Sequence, residues 1–81
     1  MTIKKTTLEA KIEKYNASNP NNLLTQKSID LAIKINKLRK QEENFAKKGN
    51  QKKFQQVVKE RFEIMDNNNQ ARFFAEMIKN I

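Results

Sequence analysis

Residues 45–54, Phe45-Ala46-Lys47-Lys48-Gly49-Asn50-Gln51-Lys52-Lys53-Phe54, contain the only glycine of an 81-residue chain, and their reading decides the fold. Apolar residues recur at helical spacing on both sides of this stretch and fail within it. Glycine tolerates the left-handed conformation in which many helices end, and asparagine is among the best side chains for opening the next one. Gly49 is therefore expected just past the end of one helix and Asn50 at the N-cap of another, in a turn tight enough to make an antiparallel helical hairpin.

Upstream of the turn, Thr25 is the expected N-cap, because Leu24 before it and Ile29 after it occupy the two hydrophobic-staple positions. The main apolar stripe of this second helix is Leu24, Leu31, Ile35, Leu38 and Phe45, with Ser28 and Glu42 in its two polar gaps. Ile29 and Ile33 point away from that stripe, so the first half of the helix is expected to be sandwiched between helix one and another element. Helix one starts at Thr6 or Thr7, where Thr6 and Glu9 have capping-box spacing, and its face is Leu8, Ile12 and Tyr15. It ends in the loop-forming residues 16–22, which include the only proline, Pro20.

Downstream, Phe54, Val57, Val58, Phe62 and Met65 form the face of a third helix. The apolar residues that follow, Phe73, Phe74, Met77, Ile78 and Ile81, are rotated well over a quarter turn from that face at roughly 100° per residue. One straight helix would expose one of the two stripes, so a kink or short break is expected near Asn67, with Asn67 and Gln70 at capping-box spacing for a fourth helix. Strand patterns are missing. Periodicity alone gives an all-α protein of three to four helices, a small bundle built on the antiparallel hairpin and forming one domain over residues 1–81.

A chain of this size buries only about 60% of the surface its unfolded form exposes. With 37% apolar residues and no cysteine, it is expected to draw stability from helix packing, self-association or a larger assembly. The absence of cysteine fits an intracellular setting, cytoplasmic or inside a virion. Lysines near the N-terminus resemble the start of an export signal, but Glu9, Lys11, Glu13 and Lys14 interrupt any apolar stretch behind them. The longest apolar runs are three residues, far short of a membrane span. Asn16-Ala17-Ser18 matches a glycosylation acceptor by chance in such a setting.

Seventeen Lys and Arg stand against nine Asp and Glu, for a net charge of +8, and there is no His, Cys or Trp. Most side chains that titrate near neutrality or hold a transition metal are thus missing, and a non-enzymatic protein without cofactor or metal is expected. Glu42 with Glu43, and Glu60 with Glu63, lie in lysine-rich helices without the apolar pocket that raises an acid's pKa. They read as helix-surface partners of lysine, for example Glu43 with Lys47, as Glu9 does with Lys4 or Lys5. Asp66-Asn67-Asn68-Asn69-Gln70 lacks the glycine and the twelfth-position glutamate of a calcium loop, having Ala71 and Met77 there.

The positive field points to nucleic acid, an anionic membrane surface or an acidic protein. Fourteen of the cations are Lys, which suits phosphate contact more than base reading, so sequence-tolerant binding to a nucleic-acid backbone is expected, DNA before RNA. Lys34, Lys37, Lys40, Lys47, Lys48, Lys52 and Lys53 form the candidate site. Lys37, Lys40, Lys47 and Lys48 share one face of helix two, whereas Lys52 and Lys53 sit in the first turn of helix three. There the helix dipole opposes them by about 0.3 to 1 kcal/mol. That cost is understandable if an anion sits at the turn on the free amides. The plainer reading is a solvated coat that keeps the chain soluble. A helix-turn-helix using Gln51, Lys52, Gln55 and Gln56 is a further alternative, against which stands the length of helix two.

Phe73, Phe74, Met77, Ile78 and Ile81 form a candidate partner-binding face, for self-association or for docking on an acidic protein as an inhibitor, adaptor or immunity-type module. Equally, the same helix could simply close the bundle. The apolar faces lack Trp and are not set opposite one cationic face, which argues against a membrane-surface helix. Abundant Lys and Asn with scarce Gly and Arg is the usage of AT-rich genomes, common in phages and mobile elements. The sequence is accordingly read as a DNA-associated accessory or structural component of such an element, for example one lining packaged DNA.

Overall fold

The computed structural model describes residues 6–80. Four helices follow in order, α1 (Thr7–Ser18), α2 (Gln26–Lys48), α3 (Gln51–Asn67) and α4 (Asn69–Met77), with no strand among the described residues. Local chemistry sets their ends. Thr6 Oγ1 accepts from the Glu9 amide at 3.1 Å, and Thr25 Oγ1 from the Ser28 amide at 3.1 Å. Each satisfies one of the donors that a helix start leaves without an intrahelical partner.

Gly49 lies in the left-handed region at φ 71°, ψ 18°. Its N–H donates to the Ala46 carbonyl and that of Asn50 to the Phe45 carbonyl, the paired bonds of a Schellman motif. Asn50 Oδ1 then accepts from the Lys53 amide. Two cross-hairpin pairs, Glu42 with Arg61 and then Phe45 with Lys53 nearer the turn, run backward along α3 as they run forward along α2. The two helices are therefore antiparallel.

The expected break occurs at Asn68, whose backbone (φ −142°, ψ 76°) leaves the helical region. Its chemistry differs from the expected capping box. The Asn67 and Asn68 side-chain amides donate back to the carbonyls of Glu63 and Ile64, both at 2.9 Å, so they close α3 rather than open α4. Gln70 turns to the α1–α2 loop instead, donating to the Asn22 and Leu23 carbonyls and accepting from the Thr25 amide. The kink is thus tied down across the fold.

One apolar cluster joins the four helices, with Tyr15, Ile29, Ala32, Ile35, Met65, Ala71, Phe74, Ala75 and Ile78 buried. Ala32, Ala71 and Ala75 are fully enclosed, and such small side chains let α2 and α4 approach closely. The Asn36 amide bridges the same seam by donating to the Ala75 carbonyl at 3.0 Å. Tyr15 meets Phe73 and Phe74 edge-on, with ring centroids 5.9 and 6.1 Å apart. That geometry is favoured by aromatic quadrupoles.

Several expected faces shift. On α2, α4 extends the buried arc to Ile29 and Ala32, whereas Ile33, about 40° further round, is 45% exposed. Only half of the expected sandwich exists. On α3, Phe62 is 49% exposed, and the buried arc turns toward Ile64 and Arg61. On α4, Phe74 and Ile78 are buried while Phe73 is 60% exposed, because α4 closes the bundle with one side only. Phe74 and Ile78 are therefore corrected from candidate partner contacts to core residues. Ile81 lies outside the described residues.

No member of the apolar cluster lies between Ile35 and Ile64. The distal part of the hairpin, roughly 20 Å of α2 and its α3 counterpart, is thus outside the main core. The radius of gyration, 14.7 Å, exceeds the roughly 12 Å of a compact chain of this length, and the molecule measures 49 × 30 × 15 Å. What holds the distal hairpin is its own set of inter-helix contacts.

Candidate nucleic-acid interface

Two of the three arginines are held in ion pairs between helices of the chain. Arg61 donates to both Glu42 oxygens and also reaches Met65 Sδ at 3.3 Å, and its guanidinium lies 4.7 Å from the Phe62 ring centroid. Arg39 holds Glu76 of α4, to which Lys79 adds a longer contact at 3.9 Å. Hydrogen bonding from Arg39 holds the Glu76 carboxyl below its ordinary range, helped by the charges of Arg39, Lys79 and Arg61 and opposed by partial desolvation. Arg72 remains exposed on α4.

The expected lysines separate into three groups. Lys37, Lys40, Lys47 and Lys48 are all exposed, and their spacing places them within an arc of roughly 100° on α2 that begins at the Ile29 edge of the buried arc and runs away from it. Asn44 and Ile33 share that side, and the strip from Ile33 to Lys48 is about 22 Å long. Lys52 and Lys53 stand beyond the turn on α3, where Lys53 Nζ lies 5.8 Å from the Phe45 ring centroid. Lys34 stands apart, because its ammonium group pairs with Glu60 Oε1 at 3.2 Å on the α3 side of α2. Both partners are about half exposed, a setting in which ion pairs stabilise little.

The anion cradle expected at the turn is largely occupied. The Gln51 amide donates to the Gly49 carbonyl and the Lys53 amide to the Asn50 side chain, leaving the Lys52 amide among the first three of α3. An anion placed here would meet ammonium groups more than free amides. The antiparallel packing of α2 against α3 also corrects the helix-turn-helix alternative, whose two helices cross at a wide angle.

Beside the turn opens a cleft of about 410 Å³ lined by Phe45, Ala46, Gly49, Gln51, Phe54 and Gln55. Periodicity placed both rings on inward stripes, and the opening between them comes only from how the helices part at their tip. The carboxylate pairs are separated in use: Glu42 serves Arg61 and Glu60 serves Lys34. The described residues include no group of three or more potential ligands that could hold a metal, and no helix long and apolar enough to cross a membrane. No family model, curated protein or solved structure matches the chain.

Proposed function

We propose that this protein is a non-enzymatic, basic helical protein that associates with nucleic acid through backbone phosphates, DNA before RNA. The observation that carries the reading is the division of labour among cations. Arg39 and Arg61 are engaged in ion pairs between helices, and Lys37, Lys40, Lys47 and Lys48 stand exposed along one side of α2. A row of flexible point charges roughly 16 Å long suits a polyanion whose charges recur every few ångströms, and it contacts phosphate without reading base edges. The composition favours an accessory or structural component of a phage or mobile element, such as one lining packaged DNA.

The rival reading, docking on an acidic protein through the C-terminal helix, retains Phe73 and part of Met77 as surface once Phe74 and Ile78 are buried. Titration of the pure protein with short DNA of scrambled sequence at two ionic strengths tests the proposal. Six phosphate contacts imply an affinity loss of about a thousandfold between 50 and 200 mM salt, nearly equal for all sequences. Affinity that ignores salt, or follows sequence, contradicts it.

A further inference from the structure

We propose that the cleft at the hairpin tip receives an unpaired nucleobase, so that single-stranded nucleic acid is the preferred partner. The inference rests on the backbone-binding reading above and names its substrate class. Phe45 and Phe54 wall the cleft, and neither belongs to the apolar cluster that holds the bundle together. Both are only partly buried, so aromatic surface remains open to a ligand. At about 410 Å³ the space falls in the lower range of small-ligand sites. A side chain at Gly49 would meet nothing within 4 Å, so the approach beside the turn is clear.

The surroundings fit one kind of occupant. Lys47 and Lys48 precede the turn, Lys52 and Lys53 follow it, and all four are exposed. A flat ring entering between the two phenylalanines would have the Lys53 ammonium group, 5.8 Å from the Phe45 ring centroid, beside it for a flanking phosphate, with the other three lysines close along the chain. Stacking on aromatic rings combined with such charges is the general device for binding single strands without sequence preference. Gln51 and Gln55 at the lining add amide donors and acceptors for a base edge. A duplex keeps its bases stacked inside and presents only phosphates to such a cleft.

The test uses the full chain with a 2-aminopurine oligonucleotide, single-stranded and annealed, followed by anisotropy and by 2-aminopurine emission; the chain has no Trp to interfere. We expect the single strand to bind about tenfold more tightly than the duplex, with a change in emission. Phe45→Leu, which keeps apolar volume but removes the ring, should weaken the single strand about tenfold while leaving its salt slope unchanged. Gln55→Ala, at an exposed position, should weaken it about fivefold and gives the reading even if Phe45→Leu fails to fold. Equal or tighter duplex binding, with unchanged emission and neutral variants, overturns the cleft site and leaves backbone binding standing. Absence of binding to either form at low salt overturns both.

Discussion

Arg61 of α3 and Glu42 of α2 form a two-pronged ion pair across the hairpin, Nη2 donating to Oε1 at 3.1 Å and Nε to Oε2, with their side chains only 15% and 12% exposed. Such a pair fixes register because the planar guanidinium fork matches both carboxylate oxygens at once. It lies at the border of the main apolar cluster, which Arg61 touches through Met65 Sδ.

Removing one partner leaves a mostly buried charge without its counterpart. Arg61→Ala is expected to destabilise the fold by about 2 to 4 kcal/mol, and the joint replacement Glu42→Leu with Arg61→Met by less than about 1 kcal/mol. Urea unfolding of both variants checks this. A single replacement as mild as the double one would show that the pair is solvated.

Gly49→Ala isolates the turn. Because the φ of 71° disfavours a Cβ while nothing stands within 4 Å of it, the cost is conformational alone, about 1 kcal/mol. Thermal unfolding should register a shift of several degrees for a chain of this size.

Glu76 gives the fold an acid-sensitive contact. Its folded pKa is lowered from 4.5, chiefly by the Arg39 hydrogen bond, so the folded state favours the charged form. The stabilisation is fully present above the unfolded value and is lost as pH falls through the folded one. Glu76→Gln should therefore flatten the loss of stability below about pH 4.5, seen by helical ellipticity against pH. An unchanged profile would remove Glu76 from that role.

The adjacent phenylalanines of α4 should behave oppositely. Phe74 is fully buried, and its replacement by Ala is expected to cost about 3 to 5 kcal/mol, enough to unfold much of so small a protein. Phe73, 60% exposed with one edge on Tyr15, should cost about 1 kcal/mol. Equal costs would mean that α4 docks through a different side.

The helix ends were legible because their chemistry is local. Thr6, Thr25, Gly49 and Asn50 each act on atoms within five residues, and the break near Asn67 followed from stripes that one straight helix cannot bury together. Orientation about the helix axis was less legible. On α3, Val58 and Phe62 flank the line of Phe54 and Met65 on one side and Val57 and Ile64 on the other, and the pattern alone favoured Phe62. The choice is made by Glu42, nineteen residues away, which draws Arg61 inward. Likewise the alanines of the α2–α4 seam carry too little apolar surface to announce a core position. The lysine cluster was visible as charge. Its division into a free row and a paired Lys34 required Glu60.

The most direct test compares the salt dependence of DNA affinity for the parent chain and for Lys37→Gln/Lys40→Gln/Lys47→Gln/Lys48→Gln, with helical content checked in parallel. If these four lysines hold phosphates, the logarithmic slope becomes shallower by about three and affinity falls alike for every sequence. An equal slope and equal affinity in the two proteins would contradict the account.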